Sequence, residues 1–134
     1  MLKKENSIYE NELNRLYNDV LFRPEQYAQV RQSRKFMEEN YCQRIELNDL
    51  ANAAFMSRFH YVRIFQQMYG LTPRVYLRDL RISKAKSLIK QGLPVTQVCF
   101  EIGYESLPTF SAAFKKCTGY SPRQYYQVQK SNLE

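Results

Sequence analysis

The segment SRFHYVRIFQQMYGLTP, residues 57–73, returns in altered form as SLPTFSAAFKKCTGYSP, residues 106–122. The second segment starts 49 residues after the first, at position 106 instead of 57. The shared positions are a serine, an aromatic residue, a phenylalanine, a glycine and a closing proline: Ser57 and Ser106, Tyr61 and Phe110, Phe65 and Phe114, Gly70 and Gly119, Pro73 and Pro122. Because both copies keep the spacing, the pattern indicates one supersecondary unit that the chain uses twice.

Each copy has the pattern of two short helices joined by a tight turn. Ahead of each segment, apolar residues recur at i, i+3, i+4 and i+7, the stripe of an amphipathic helix. These residues are Leu47, Leu50, Ala51 and Ala54, and Val95, Val98, Cys99 and Ile102. The serine that opens each segment is a typical helix N-cap, and the glycine near the end of each segment typically terminates a helix. Gly103 permits a sharp turn. The sequence predicts helix-turn-helix units at about 47–70 and 95–118.

Apolar residues at helical spacing also predict which side of the second helix in each unit is buried. The predicted inner faces consist of Tyr61, Ile64, Phe65 and Met68, and of Phe110, Ala113, Phe114 and Cys117. We therefore expect the aromatic residues to be core and both Cys99 and Cys117 to behave as small apolar residues.

Three further segments are expected to be helical. A linker helix is predicted at about 73–91, with Pro73 at the first position, where a missing N–H costs nothing. A packing helix is predicted at about 25–40 on Val30, Phe36 and Met37, and a last helix begins at Ser121–Pro122. No segment shows sustained period-two alternation, so the predicted fold class is all-α.

The first 24 residues are expected to form a separate amphipathic extension. Apolar residues at helical spacing, from Leu13 to Leu21, predict one more short helix there. This extension has balanced charge, with four basic and four acidic residues.

Positive charge is concentrated in the repeated half of the chain. The 134 residues contain 20 Lys and Arg against 13 Asp and Glu, a net charge of +7. Eleven of the basic residues and only three acidic ones lie in 58–123. Such a segment attracts a polyanion, although a solvated basic surface is the alternative explanation.

Several classes of protein are disfavoured by composition. No apolar run approaches the roughly 20 residues of a membrane span, and no signal-peptide stretch opens the chain. Three scattered cysteines and one histidine offer neither a disulfide framework nor a metal site. We therefore expect a cytoplasmic binding protein without catalytic residues, cofactor or metal.

The sequence resembles the DNA-binding domain of AraC/XylS-type bacterial transcription regulators. The resemblance covers about 25–128 and rests on Leu47–Ala51, Ser57–Phe65, Gly70–Pro73, Tyr76–Arg81, Ile102–Ser106, Phe110, Phe114–Lys116 and Gly119–Pro122. It implies a domain at 25–130 with about seven helices, in which a long linker helix joins two helix-turn-helix subdomains. It also implies a sequence-specific regulator that inserts recognition helices, about 58–69 and 107–117, into successive major grooves of double-stranded DNA. Such grooves recur about every 34 Å, so one chain can suffice as a monomer.

Candidate base-contacting residues lie on the outer face of the first recognition helix. By the resemblance, Phe59, Val62 and Arg63 occupy the family's base-contacting positions, and Arg58 lies on the same face. Arg63 can donate two hydrogen bonds to guanine, while Phe59 and Val62 can contact thymine methyl groups.

The second recognition helix departs from the family's usual polar pattern. Its candidate base-contacting residues are Leu107, Pro108 and Thr109, of which only Thr109 is polar. Ala112 also lacks a hydrogen-bonding side chain. We therefore expect the first unit to provide most of the base readout.

Phosphate contacts position a protein on DNA without reading its sequence. The candidates are Ser57, His60, Gln66, Arg74, Ser106, Lys115, Lys116, Arg123 and Gln124. Arg78 and Arg81 neighbour Asp79 on the linker helix, where a structural ion pair is an equal expectation.

Three alternatives remain open at this stage. The chain is a standalone regulator, or it is the DNA-binding part of a larger effector-responsive one, or it is a protein-interaction adaptor or non-specific nucleic-acid binder. RNA polymerase is a further candidate partner, and the N-terminal helix is a candidate homodimer contact.

Overall fold

The computed structural model of the protein describes residues 23–133. Within this range the chain forms seven α-helices and no strand, which confirms the predicted all-α class. The helices are α1 (Pro24–Asn40), α2 (Leu47–Ala53), α3 (Arg58–Tyr69), α4 (Pro73–Lys90), α5 (Val95–Glu101), α6 (Leu107–Thr118) and α7 (Pro122–Leu133). None of them combines the length and apolar character that a membrane crossing requires. The predicted amphipathic helix on Leu13 to Leu21 lies outside the described residues.

The chain divides into two compact units, each containing one helix-turn-helix pair. The first unit comprises the described residues up to Lys35 together with Glu46–Pro73, and therefore holds α2 and α3. The second comprises Phe36–Ile45 and the chain from Arg74 onward, with α4 to α7. Helix α1 contributes to both units, because the boundary falls between Lys35 and Phe36.

The first unit is organised around the inner face of α3. Tyr61, Ile64 and Phe65 are buried there, as predicted, together with Leu50 of α2. The hydroxyl of Ser33 in α1 lies 2.6 Å from that of Tyr61 and donates to the Val30 carbonyl, also at 2.6 Å. This chain of hydrogen bonds satisfies the buried polar groups and ties α1 to α3.

The prediction that Phe36 belongs to the packing face of α1 is wrong. Phe36 is 48% exposed, whereas Val30, Ser33 and Met37 are buried. The buried stripe runs at intervals of three and four residues, and Phe36 falls one position off it. A buried serine, held by two hydrogen bonds, occupies a position on the stripe.

The second unit has an apolar core built from α4, α5 and α6. Its buried residues are Ile82, Ala85, Ile89, Val98, Cys99, Ile102, Phe110 and Phe114. The rings of Phe110 and Phe114 lie 5.7 Å apart in an edge-on arrangement, which is favourable for aromatic pairs. The prediction that the repeated aromatic residues form core is confirmed.

A structural arginine holds the segment after α1 against this core. Arg81 donates to the carbonyls of Tyr41 at 2.7 Å and Gln43 at 2.9 Å. Gly103 lies beside the same segment with φ of 100°, and a Cβ there would be 2.9 Å from the Tyr41 carbonyl oxygen. The glycine is therefore required both by its backbone conformation and by the close approach of another chain segment.

The two turns share a hydrogen-bond pattern but differ in length. Met56 donates its N–H to the Ala51 carbonyl at 2.9 Å, as Tyr104 does to Cys99 at 3.1 Å. Helices α2 and α5 begin 48 residues apart, at 47 and 95, whereas α3 and α6 begin 49 apart, at 58 and 107. The second turn therefore contains one additional residue before α6.

The expectation that Cys117 is buried is wrong. Cys99 is buried, but Cys117 is exposed in the last turn of α6, where the inner stripe reaches the edge of the core. Its thiol lies 3.6 Å from Oδ1 of Asp79. Partial burial raises the pKa of this thiol. The charge of Arg78, the next largest effect, lowers that pKa, and the charge of Asp79 raises it.

Candidate DNA-binding surface

Helix α3 presents a basic and aromatic outer face. Ser57 caps the helix by accepting the N–H of His60 at 3.2 Å, and Gly70 ends it in the left-handed conformation, as predicted. With the inner face buried, Arg58 and Arg63 are exposed on the outside. Phe59 is 82% exposed between them in sequence. A large aromatic side chain left this open in the first turn of a helix is a candidate contact residue.

An apolar groove lies beside these residues. It has a volume of about 540 Å³ and is lined by Leu47, Arg58, Phe59, Val62 and Arg63. Four of the five were predicted as base-contacting residues, and the structure brings them together. The fifth, Leu47, was assigned to the inner stripe of α2, but it is 36% exposed. The sequence could have indicated this exposure, because Leu47 is the first residue of a short helix and the first turn of a helix often projects beyond the core.

His60 is less available than the other candidates on α3. It is half-buried, and the side-chain amide nitrogen of Gln26 lies 2.9 Å from its Nε2. An amide nitrogen can only donate a hydrogen bond, so Nε2 is the acceptor in this contact. His60 therefore links α3 to α1, and any phosphate contact has to use the opposite edge of the ring.

Helix α6 presents a different outer face. Ser106 caps it by accepting the Thr109 N–H at 3.3 Å and also donates to the Thr109 hydroxyl at 2.8 Å. Pro108 and Thr109 are exposed, whereas Leu107 is half-buried and packs against the core of the second unit. Of the three predicted base-contacting residues, two are thus open to solvent and one is partly engaged in packing.

The charged phosphate-contact candidates are open, and the polar ones are partly engaged as caps. Arg74, Lys115, Lys116 and Arg123 are all exposed, as is Gln66. Gln124 accepts the Ser121 N–H at 3.0 Å, and Ser121 accepts the Gln124 N–H at 3.1 Å. This reciprocal pair is a capping box at the start of α7.

A basic groove of about 400 Å³ in the second unit was missed by the sequence analysis. Its lining includes Arg74, Arg78 and Arg81 of α4, together with Tyr104 and Thr109. The expected ion pair of Arg78 with Asp79 is present at 3.0 Å and raises the pKa of Arg78. Arg81 instead binds backbone carbonyls, and its burial lowers its pKa. Residues three and four apart on α4 could have indicated this shared face.

The comparisons with known proteins identify the family. The sequence model of the helix-turn-helix domain family matches residues 50–127, more than half of the chain. The chain therefore belongs to the AraC-type helix-turn-helix family. Over 96 residues it is 36% identical to the uncharacterized HTH-type transcriptional regulator YbfI of Bacillus subtilis. That match covers 69% of this chain and 35% of YbfI, so the chain spans about a third of the length of this relative.

Solved structures share the fold. A transcriptional regulator with an AraC-type DNA-binding domain from Chromobacterium violaceum is 25% identical, with a TM-score of 0.67. The match covers 76% of this chain and 92% of that one. The DNA-binding domain of AdpA, a global transcriptional factor solved with a target DNA, has a TM-score of 0.74. The AdpA domain is 23% identical to this chain, and the match covers 77% of this chain and 94% of the AdpA domain. This similarity shows that the two share a fold.

Proposed function

We propose that this chain binds a specific sequence of double-stranded DNA and thereby regulates transcription. The observation that carries the proposal is the outer face of α3, where Phe59 is almost fully exposed beside exposed Arg58 and Arg63. Guanidinium groups suit guanine edges and phosphates, and an exposed phenylalanine suits thymine methyl groups. Serine capping at both recognition helices supports the same role, because it orders the N-terminal turn that enters the groove.

The two units divide the work. Base readout comes mainly from Arg58, Phe59, Val62 and Arg63, because α6 offers only Thr109 as a polar side chain in its first turn. The exposed Lys115 and Lys116 contact phosphates and fix the orientation of the second unit. Leu107, Pro108 and Thr109 then contribute apolar and shape-dependent contacts.

One chain occupies one site in this proposal, because it carries both recognition helices. The proposed role requires no catalysis and places the protein at the bacterial chromosome in the cytoplasm, with RNA polymerase as a partner at activated promoters. Since the chain spans about a third of YbfI, the same DNA-binding role also fits the corresponding part of a larger effector-responsive regulator.

The test is in-vitro selection from random double-stranded DNA, followed by footprinting. A salt concentration of about 150 mM suppresses binding that rests on phosphate charge alone. We expect one asymmetric site of about two helical turns, with most sequence information in one half. A palindromic site would contradict binding by a single chain. Failure to enrich any sequence would contradict the proposed function and leave an adaptor or a non-specific binder.

A matched pair of variants makes the selection decisive. Arg63→Gln changes a proposed base-contacting residue, whereas Lys86→Gln removes a charge from an exposed position of α4 outside the proposed contacts. We expect the first variant to broaden the selected sequences and the second to leave them unchanged. Equal behaviour of the two would contradict the assignment of α3.

A further inference from the structure

The apolar groove of the first unit extends beyond the recognition helix. Val62 and Phe59 belong to α3, but Leu47 is the first residue of α2. All three line one groove of about 540 Å³ together with Arg58 and Arg63. Two helices therefore contribute the apolar lining of the groove. The two arginine side chains beside this lining attract a polyanion.

Few groups on DNA suit such a groove. Base edges in the major groove carry hydrogen-bond donors and acceptors, except for the C5-methyl group of thymine, which is apolar. Cytosine can carry the same methyl group at the same ring position when it is modified to 5-methylcytosine. An apolar groove recognises the methyl group itself, whereas the arginines recognise the surrounding polar edges and phosphates.

We propose that Leu47, Phe59 and Val62 form a receptor for the C5-methyl group of a pyrimidine, which accepts thymine and 5-methylcytosine alike. This inference rests on the proposed function, since it specifies what the α3 surface recognises in its DNA site. Its consequence is that methylation of a cytosine facing the groove strengthens binding. Leu47 is then a specificity-determining residue outside the recognition helix.

The experiment uses the full chain and double-stranded oligonucleotides that carry the selected site. At each pyrimidine of the half-site protected by the first unit, two pairs are compared: thymine with deoxyuridine, and 5-methylcytosine with cytosine. The members of each pair differ only by the methyl group. At the position facing the groove we expect each methyl group to increase affinity about four-fold, the value for burying one such group. Methyl groups at positions outside the selected site should change the affinity by less than the experimental error of the binding measurement.

Variants assign the effect to the groove. Leu47→Ala and Phe59→Ala should both reduce the affinity ratio of each pair toward one. Leu71→Ala is the matched control, because Leu71 is 38% exposed and does not line the groove. It should keep the four-fold ratios. Thermal unfolding of each variant checks that the fold is retained, which the exposure of Phe59 leads us to expect.

Each outcome decides a separate question. If no sequence is enriched in the selection, the proposed function fails before the methyl groups are tested. If a site is selected but neither pair differs at any position, the methyl receptor is overturned while the proposed function stands. The methyl receptor is also overturned if Leu47→Ala leaves the affinity ratios as unchanged as the control Leu71→Ala does. The groove then serves some other contact, such as one with a protein.

Discussion

Phe55 and Gly103 occupy equivalent positions in the two helix-turn-helix turns. Both have positive φ angles, 57° and 100° respectively, and each is followed by the residue that closes its turn by donating to a helix carbonyl. Glycine adopts this conformation freely, but an L-residue with a side chain does so at a cost of roughly 1–2 kcal/mol. Phe55 is 85% exposed and gains little from packing in return.

We expect Phe55→Gly to raise the free energy of unfolding by about 0.5–1 kcal/mol, because the relief of strain exceeds the additional entropy of the unfolded chain. Urea unfolding of the purified protein measures this change. Phe55→Ala is the control, since it removes the ring but keeps a Cβ in the left-handed conformation, and it should give no gain. Lower stability of Phe55→Gly would show that the exposed ring stabilises the fold.

The opposite exchange should be harmful in the second turn. Gly103→Ala introduces a Cβ 2.9 Å from the backbone oxygen of Tyr41 as well as an unfavourable φ. We expect the free energy of unfolding to fall by at least about 1–2 kcal/mol, the cost of the left-handed conformation alone. The same urea experiment measures it, with Gly92→Ala as the control, because its φ is also positive but no atom lies within 4 Å. Equal losses would show that the approach of Tyr41 is unimportant.

Removing the Tyr61 hydroxyl should make stability less dependent on alkaline pH. Burial raises the pKa of Tyr61 to about 12 from its ordinary value of 10, although the hydrogen bond with Ser33 opposes the shift. Because the folded pKa lies above the unfolded one, the stabilisation is complete below pH 10 and is lost as pH rises toward 12. At neutral pH we expect Tyr61→Phe to cost about 1 kcal/mol.

Comparison with the wild type isolates this effect from the other tyrosines. The wild type should be more stable than Tyr61→Phe by a constant amount below pH 10. This difference should shrink above pH 10 and reverse in sign before pH 12, because each unit of pKa shift is worth about 1.4 kcal/mol. A difference that stays constant up to pH 12 would contradict the buried environment of this hydroxyl.

Arg63→Ala should relax sequence preference more than any comparable change on α6. Loss of a bidentate contact to guanine costs about 1–3 kcal/mol of discrimination at one base pair. Ala112→Ser, at an exposed outer position of α6, should leave discrimination unchanged. Competition binding against single-base variants of the selected site measures both. Comparable effects of the two substitutions would remove the basis for unequal readout by the two units.

Lys115→Gln should weaken binding to all sequences alike and reduce its salt dependence. The slope of log K against log salt concentration is negative, and loss of one phosphate contact reduces its magnitude by about 0.9. Titrations at several salt concentrations measure the slope, and Lys86→Gln on α4 serves as the matched control. A slope that is unchanged by Lys115→Gln would place this lysine away from the phosphates.

The local features of the fold could be predicted from the sequence because they depend on local spacing. Serine caps, glycine stops and the buried aromatic residues of α3 and α6 each follow from a pattern within one or two helical turns. The exposure of Phe36 and Cys117 could not be predicted, because both residues lie at the border of an apolar stripe. Which border residue is covered depends on the segments that pack there.

Long-range features were likewise beyond local patterns. Arg81 was expected near Asp79, its sequence neighbour, but its acceptors are carbonyls some 40 positions earlier in the chain, on Tyr41 and Gln43. Leu47 was expected to be buried in the first unit, because it lies on the apolar face of α2. Helical spacing identifies that face, but it does not show at which residue the helix leaves the core. The outer face of α3 was predictable, since it is what remains once the aromatic inner face is assigned.

The shared membership of α1 limits how this protein can be recombined with its relatives. The second unit requires Phe36–Ile45, which supplies the carbonyls that Arg81 binds and the backbone that Gly103 approaches. A single crossover within α4 would therefore join the second half of one protein to a foreign α1 segment. Despite the internal repeat, the two units are interleaved in the sequence, so neither can be exchanged as one continuous stretch of chain.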